Sequence, residues 1–313
     1  MNGGVVGDEG VDLAVDVGSV HLANPVMAAS GTIGHGAELG RYVDLGSLGA
    51  VVVKSLSAEP WAGNPAPRVH ETAAGMINSV GLQGPGVAAW LRDDLPELLD
   101  ADATVVVSIW GRTVEEYRRA AEMLADAPGS VVAVEVNLSC PNLDGGRHLF
   151  AHDPAASSAV IAATQAAGRP RWAKLSPNTD RLVDVAAAAQ NAGAEAVTLV
   201  NTLLGMVIDP ETRRPVLGAG GGGLSGPAVH PVAVRAVYDC HVALPDLPIV
   251  GVGGISTGSD AVEMMLAGAS AIQVGTASFA DPRACGSVLA EVGEWCRRHA
   301  VTTVKELCGG GHG

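Results

Sequence analysis

The sequence has little positive charge and very little lysine. Lysine and arginine together number 19 against 33 aspartate and glutamate residues, which gives a formal net charge of −14. Only three of these cations are lysines, and two of them, Lys54 and Lys174, stand at the ends of apolar runs. Binding to nucleic acid requires a basic face, so the charge argues against DNA, RNA or an anionic membrane surface as a partner. An anionic ligand would need a local cationic pocket.

Long apolar runs and targeting signals are also missing. No stretch reaches the ~20 uninterrupted apolar residues of a membrane-spanning helix. The N-terminus carries acidic residues and no basic segment ahead of an apolar run, so it does not resemble a secretory signal peptide. We therefore expect a cytoplasmic protein with no membrane partner.

Several familiar catalytic and metal-binding motifs are absent. The five cysteines, at positions 140, 240, 285, 296 and 308, show no CxxC pair and no cluster-binding spacing. An odd number of cysteines in an apparently cytosolic chain indicates free thiols, and we expect no metal site. There is no HExxH, no recognisable Ser-His-Asp arrangement and no GxGxxG after the first strand, which disfavours direct dinucleotide binding.

Short apolar runs alternate with helical patterns along the whole chain. Eight such alternations predict one (β/α)8 TIM barrel over residues 1–313, with active-site loops at the C-terminal ends of the strands. A doubly wound open sheet is the alternative. The ends, about 1–10 and 308–313, and the glycine-rich stretch 218–223 are expected to be flexible. The predicted strands are Pro25–Ser30, Ala50–Leu56, Val105–Gly111, Val131–Asn137, Arg171–Ser176, Ala196–Thr202, Pro248–Gly253 and Ala271–Thr276.

Helical periodicity fills the segments between these strands. Three of the helices carry start signals, namely Thr113, Asp153 and Thr257 or Ser259. The predicted helices are Val87–Leu99, Val114–Ala125, Pro154–Ala167, Arg181–Ala192, Pro231–Ala243 and Ser259–Ala267.

The most informative stretch is 131–142. It begins as an apolar run, typical of a parallel strand buried on both faces, and becomes polar at Asn137, Ser139, Cys140 and Asn142. Two amides, a hydroxyl and a thiol at a strand end are costly to bury unless they bind something. Taken alone, the pattern is explained as well by a polar strand exit with an inert, buried cysteine.

The other predicted strand ends favour a binding site. Most of them end in hydroxyl, amide or ammonium groups, and the last two bring the turns Gly253-Gly254 and Gly275-Thr276. Glycine turns after strands seven and eight of a barrel are suited to hold a phosphate with backbone N–H groups. The donors suit a flat, heteroatom-rich ligand together with a phosphate-bearing cofactor, and FMN fits. A lysine near the flavin N1 edge would stabilise the reduced anion.

A set of motifs occurs in a fixed order: Asn24-Pro25, Ala29–Gly31, Val53–Ser55, Gly63–Arg68, Asn78–Leu82, Asn137–Asn142, Lys174–Asn178, Asn201-Thr202, Gly223–Pro227, Gly251–Ile255 and Gly275-Thr276. Together they resemble the class 1 dihydroorotate dehydrogenases, over about residues 11–307. Lys174–Asn178 and Leu224–Pro227 are more similar to the NAD-linked class 1B catalytic subunits than to the fumarate-using class 1A.

The resemblance implies FMN-dependent oxidation of (S)-dihydroorotate to orotate in de novo pyrimidine biosynthesis. It implies that Cys140 is the base for the C5 proton while the C6 hydride passes to flavin N5, and that Lys54 is a second catalytic residue touching substrate and flavin. Implied substrate contacts are Lys54, Asn78, Ser79, Val80, Gly81, Leu82, Asn137, Asn201 and Thr202. Implied flavin contacts are Ser30, Lys54, Ser55, Ser108, Asn137, Lys174, Val200, Gly226, Gly253, Gly254, Gly275 and Thr276.

Two details of the site are open to test. The family usually has asparagine where this chain has Ser108, which offers one hydroxyl in place of an amide. Either a bridging water restores that flavin contact, or the binding affinity or the reduction potential of the flavin changes. The segment around Cys140–His152 is predicted to be a mobile lid because it contains Gly145, Gly146 and Arg147. Core filling is the simpler interpretation of Trp61 and Trp110.

The class 1B resemblance also implies partners. Electrons would reach NAD+ through a separate subunit carrying FAD and a [2Fe-2S] cluster, and a homodimeric core is expected. Three alternatives remain: a fumarate-using class 1A enzyme, a related flavin dihydropyrimidine dehydrogenase subunit, and a non-catalytic barrel that binds a phosphorylated ligand. The pyrimidine that bleaches the bound flavin distinguishes a dihydroorotate dehydrogenase from a dihydropyrimidine dehydrogenase subunit. A colourless protein would favour the non-catalytic barrel.

Overall fold

The computed structural model describes residues 10–140 and 149–313. In chain order, its strands are β1 (Val15–Val17), β2 (Val20–Leu22), β3 (Val26–Ala28), β4 (Ala50–Val52), β5 (Val69–Thr72), β6 (Gly75–Asn78), β7 (Val105–Ile109), β8 (Val131–Asn137), β9 (Arg171–Lys174), β10 (Ala196–Leu199), β11 (Leu203–Gly205), β12 (Ile208–Asp209), β13 (Arg214–Pro215), β14 (Gly222–Ser225), β15 (Ile249–Val252) and β16 (Ala271–Val274).

The helices lie mainly between the strands. They are α1 (Val87–Asp93), α2 (Leu95–Asp100), α3 (Val114–Glu122), α4 (Pro154–Ala163), α5 (Leu182–Asn191), α6 (His230–Ala243), α7 (Gly258–Leu266), α8 (Ala277–Ala280) and α9 (Ala284–Arg298). Short 3-10 helices cover Glu38–Arg41, Leu45–Ser47, Phe150–His152, Thr164–Ala167, Pro227–Val229 and Val304–Leu307.

The eight predicted strands form a closed parallel barrel, in the order β10-β15-β16-β3-β4-β7-β8-β9. Closure is visible where β16 pairs with β3, with Ile272 opposite Val26. An open sheet would leave these two edges unpaired, so the barrel prediction is confirmed. Every residue of β4, β7 and β16 is buried, as expected for strands that face the barrel interior on one side and helices on the other.

The predicted helix starts at Thr113, Asp153 and Thr257 are confirmed. The Thr113 side chain accepts a hydrogen bond from Glu116 N at 3.2 Å, and Asp153 accepts one from Ala155 N at 2.9 Å. Thr257 forms a reciprocal capping box with Asp260. Each cap satisfies backbone N–H groups that have no partner within the helix.

The predicted helix Val87–Leu99 is instead two helices, α1 and α2, with Asp94 between them. Pro96 lies in the first turn of α2. Proline lacks an N–H donor and its ring clashes with the preceding turn, so it is tolerated at a helix start and interrupts a continuous helix.

A four-stranded antiparallel sheet, in the order β11-β14-β6-β5, was not predicted. The expectation that residues 218–223 form a flexible loop is wrong for Gly222 and Gly223, which lie in β14, where Gly222 pairs with Gly205 of β11 and Gly223 with Asn78 of β6. A Cβ atom on Gly222 would lie 2.5 Å from Asn78 O, and one on Gly223 would overlap the Thr202 side chain. These glycines permit close packing and do not mark a loop.

The two ends of the chain differ from each other. The predicted flexible N-terminal end falls almost entirely on residues 1–9, and most of the predicted lid falls on 141–148, both outside the described residues. The C-terminal end was expected to be flexible, but Gly311 N donates to Leu266 O at 2.9 Å and the His312 ring stacks on Tyr238 at 4.0 Å. No helix in the described ranges is long and apolar enough to cross a membrane.

Candidate active site

A cavity of about 740 Å³ opens at the C-terminal ends of the barrel strands. The four-stranded sheet forms part of its wall, because β6 and β14 contribute Asn78, Gly223 and Leu224. All of the predicted site residues except Ser108 and Cys140 line this cavity. Those that do are Ser30, Lys54, Ser55, Asn78, Ser79, Val80, Gly81, Leu82, Asn137, Lys174, Val200, Asn201, Thr202, Gly226, Gly253, Gly254, Gly275 and Thr276.

A chain of amide and hydroxyl hydrogen bonds runs around one side of the cavity. Asn137, at the end of β8, donates from Nδ2 to Ser55 Oγ at 3.2 Å and accepts from Asn201 Nδ2 at 3.1 Å. Asn201 Oδ1 in turn accepts from Thr202 N at 2.8 Å. These bonds hold the amide groups in fixed orientations, so a ligand meets pre-positioned donors and acceptors.

Ser108 reaches the cavity only through another serine. It is fully buried on β7, and its Oγ lies 2.9 Å from Ser55 Oγ, which does line the cavity. The predicted direct contact between Ser108 and a flavin stays a prediction. In this geometry Ser108 supports Ser55, because the two hydroxyls form one hydrogen-bonded pair.

The two predicted lysines have different electrostatic surroundings. Lys174, at the end of β9, lies 3.4 Å from Glu135 Oε1 in a buried ion pair. Lys54 forms no ion pair within the part of the chain that the structure describes. Burial, followed by the charge of Lys174, lowers the pKa of the Lys54 ammonium. A largely desolvated cation with no counter-ion in the described ranges favours an anionic ligand beside it.

Sequence reasoning missed Glu135 and Gln273, which lie inside the barrel. Both side chains are fully buried, and Gln273 Nε2 donates to Glu135 Oε2 at 2.8 Å. Glu135 therefore bridges Lys174 and Gln273 across strands β9, β8 and β16. The signal that could have found it is a single carboxylate within the apolar run 131–136, since an unpaired charge is rarely buried.

The glycine turns form a narrow cradle at the ends of β15 and β16. A Cβ on Gly254 would lie 2.7 Å from Gly226 O, and both glycines have positive φ angles, of 68° and 99°. Among the described residues, the N–H groups of Gly254, Gly275 and Thr276 donate no hydrogen bond to another protein atom. N–H groups that have no acceptor among the described residues, next to the positive-φ turn at Gly254, fit an anion such as a phosphate.

Two tryptophans also line the cavity, so core filling is an incomplete account of them. Trp61 is 38% exposed, and its ring meets that of Trp110 edge to face at 5.9 Å. The Arg112 guanidinium lies 4.5 Å from the centre of the Trp61 ring. This arrangement places an aromatic surface and a cation at the cavity wall.

Cys140 does not line the cavity in this structure. Its side chain is fully buried, and Sγ donates to Asn137 O at 3.4 Å. Burial raises the pKa of the Cys140 thiol to about 12, although a hydrogen bond with Tyr117 and the charge of Lys54 act in the opposite direction. The neighbouring Ser139 does line the cavity, and its buried Oγ has no hydrogen-bond partner within the described part of the chain.

Comparison with known proteins gives consistent matches over almost the whole chain. A family model described as dihydroorotate dehydrogenase matches residues 12–295. The chain is 50% identical over 303 residues to the protein named dihydroorotate dehydrogenase B (NAD(+)), catalytic subunit, of Desulforudis audaxviator, which covers 96% of this chain and 98% of that protein. Proteins of the same name match at 46% identity in Geotalea daltonii, over 95% of this chain and 97% of that protein, and at 47% in Alkaliphilus metalliredigens, over 96% and 98%.

Proposed function

We propose that this chain, which belongs to the dihydroorotate dehydrogenase family, is the catalytic subunit of an NAD-linked enzyme that oxidises (S)-dihydroorotate to orotate in de novo pyrimidine synthesis. The observation that carries the proposal is the composition of the cavity. It combines a cation that has no counter-ion among residues 10–140 and 149–313, Lys54, with an oriented amide set at Asn78, Asn137 and Asn201 and a glycine cradle. Dihydroorotate is a ring with amide groups and one carboxylate, and the cavity groups are complementary to these.

FMN fits the remaining part of the cavity. Gly254, Gly275 and Thr276 would hold its phosphate with free N–H groups, while Lys174 and Ser55 would face the ring. The chemistry that FMN supplies when bound is the acceptance of a hydride. FAD and a [2Fe-2S] cluster belong in this proposal to a separate electron-transfer subunit, because the sequence lacks the motifs for either.

The roles of the protein side chains follow from their charge and hydrogen bonding. Lys54 binds the substrate carboxylate, and the hydrogen-bonded amides of Asn137 and Asn201 fix the orientation of the pyrimidine ring. A fixed orientation at the reacting carbon lowers the entropic cost of the reaction. The Glu135 carboxylate, 3.4 Å from Lys174 Nζ, holds that ammonium in place at the cavity wall.

Cys140 is the base in this proposal. The C5–H bond breaks with its proton going to Sγ, and the C6–H bond breaks as a hydride, which leaves the C5=C6 double bond of orotate. The thiol lies against Asn137 O and outside the cavity wall, so the proposal includes a turn of the Cys140 side chain toward the substrate. A base must come within hydrogen-bond reach of the proton that it removes.

The assembly belongs to the proposal as well. Leu204, Met206 and Ile208 form an apolar stripe, 69%, 57% and 58% exposed, along β11 and the start of β12. A second copy of the chain would cover this stripe and the outer edge of β11. All five cysteines are free, which is in keeping with a reducing cytoplasm.

The test is an anaerobic visible spectrum of the purified protein before and after addition of dihydroorotate. We expect a yellow protein that bleaches with dihydroorotate and does not bleach with a neutral dihydropyrimidine. Cys140→Ala should leave only a slow residual bleaching at neutral pH, whereas Cys285→Ala, at another buried thiol, should bleach like the wild type. Bleaching by the neutral substrate alone would favour a dihydropyrimidine dehydrogenase, and a colourless protein that cannot be reconstituted with FMN would exclude the cofactor.

The electron acceptor requires a second measurement. Reoxidation of the reduced protein by NAD+ only in the presence of an electron-transfer subunit is expected. Rapid reoxidation by fumarate, with the catalytic chain alone, would contradict the NAD-linked assignment and favour the fumarate-using alternative.

A further inference from the structure

Tyr117 and Cys140 share one hydrogen-bond acceptor, the backbone carbonyl of Asn137. The Tyr117 hydroxyl donates to Asn137 O at 2.6 Å, and Cys140 Sγ donates to the same oxygen at 3.4 Å. Two donors on one carbonyl oxygen must lie side by side. The phenol of α3 is therefore next to the thiol that follows β8.

Each of the two neighbouring groups also affects the pKa of the other. Tyr117 lowers the pKa of the Cys140 thiol, and Cys140 raises that of the Tyr117 phenol, in each case after a larger effect of burial. Lys54 is the other charged group that acts on Cys140, and Glu116 acts on Tyr117. Tyr117 is thus the hydroxyl donor beside the thiol, and Lys54 is the cation that acts on it.

The surroundings hold the Tyr117 ring firmly. It is fully buried and meets the Phe150 ring edge to face, with ring centres 5.4 Å apart and planes at 89°. Gly111 allows α3 to approach the end of β7, because a Cβ there would lie 3.1 Å from Tyr117 Cδ2. A ring fixed in this way can change its hydroxyl direction by rotation of the O–H bond alone.

We propose that Tyr117 is a positioning residue for Cys140, whose hydroxyl turns from Asn137 O to Sγ when the thiol loses its proton. The inference rests on the proposed function, in which Cys140 is the base. In the thiol state both groups donate to the carbonyl. In the thiolate state the sulfur becomes an acceptor, and Tyr117 supplies the donor that stabilises it. When Sγ takes the substrate proton, the hydroxyl returns to Asn137 O.

The first test is Tyr117→Phe, which keeps the ring and its contact with Phe150. A hydrogen bond to a charged acceptor corresponds to about 10- to 100-fold in the population of the thiolate. We expect dihydroorotate to reduce the flavin about 10- to 100-fold more slowly at a fixed pH, with FMN affinity unchanged. At pH values below the pKa of the Cys140 thiol, the rate of flavin reduction in Tyr117→Phe should still rise tenfold per pH unit. A more alkaline buffer should therefore restore the rate. A rate within about twofold of the wild type would overturn the proposal.

A second variant tests the effect of a stronger hydrogen-bond donor at position 117. The chain has three tyrosines, and Tyr42 and Tyr238 are exposed, so both are changed to Phe and the protein is produced with 3-fluorotyrosine. Only position 117 then carries fluorine, which makes the phenol a stronger donor. We expect faster flavin reduction than in the matched unfluorinated Tyr42→Phe/Tyr238→Phe protein. A slower reaction would indicate that Tyr117 acts by packing and would overturn the proposal.

Two further measurements separate this inference from the proposed function. Tyr117→Phe should have no effect on the slow residual reduction in a Cys140→Ala background, since there is no sulfur to act on. An equal loss in both backgrounds would refute a role through Cys140. The 19F resonance of fluorinated Tyr117 should shift on Cys140→Ala and not on Cys285→Ala, whether or not dihydroorotate is the substrate. An unchanged resonance would refute the contact itself.

Discussion

The buried ion pair between Glu135 and Lys174 gives a quantitative prediction. The Glu135 side chain is fully buried and that of Lys174 is 8% exposed, with 3.4 Å between charged atoms. At an effective dielectric constant of about 20, the attraction across that distance is about 5 kcal/mol. Removing one partner from a buried pair commonly costs about 3–5 kcal/mol, because the other charge is left without compensation.

The variant is Glu135→Gln, which keeps the size of the side chain. The glutamine can still accept from Gln273, but its NH2 group then faces the Lys174 ammonium, donor against donor. We expect a loss of about 3–5 kcal/mol in the free energy of unfolding. With a urea dependence of about 1–3 kcal/mol per molar, the midpoint of unfolding should fall by more than about 1 M.

The control is the exposed pair Arg92–Asp93, whose side chains are 70% and 55% exposed. Asp93→Asn should leave the midpoint of unfolding almost unchanged, because water screens this pair. The double variant Glu135→Leu/Lys174→Met should recover most of the loss, measured after removal of FMN. A Glu135→Gln midpoint equal to that of Asp93→Asn would refute the reasoning that this pair controls stability.

Three further predictions concern the cofactor and the assembly. Ser55→Ala and Ser108→Ala should each raise the FMN dissociation constant about fivefold, as measured by flavin fluorescence. The double variant should lose no more FMN affinity than Ser55→Ala does, and additive losses would contradict a role of Ser108 through Ser55. Gly254→Ala should weaken FMN binding more than about tenfold because its Cβ would lie 2.7 Å from Gly226 O, whereas Gly168→Ala, with a similar φ and nothing within 4 Å, should leave FMN binding unchanged. Met206→Lys should dissociate the proposed homodimer in sedimentation analysis. The control Val242→Lys, at a residue of α6 that is 61% exposed, should leave the dimer intact. A wild-type protein that sediments as a monomer would exclude the dimer.

Local patterns in the sequence predicted most of the strands and helices of the barrel. Continuous apolar runs such as 131–136 mark strands buried on both faces, and caps such as Thr113 mark helix starts. Because the carboxyl ends of all barrel strands meet at one face, knowing where each strand ended was enough to bring Lys54, Asn137 and Asn201 to one cavity. The resemblance to a known family added the substrate and the roles, which no pattern of residues contained.

Only the tertiary structure decided which groups pair across that face. Glu135 and Gln273 are 138 residues apart, and no local pattern links them or indicates that Lys174 has a counter-ion while Lys54 has none among the residues that the structure describes. The same holds for Tyr117, a helix residue whose hydroxyl meets the carbonyl of Asn137 only after α3 packs on the barrel. Sequence periodicity specifies which side of an element is buried, but hydrogen bonds and ion pairs depend on distances of a few ångströms that packing alone determines.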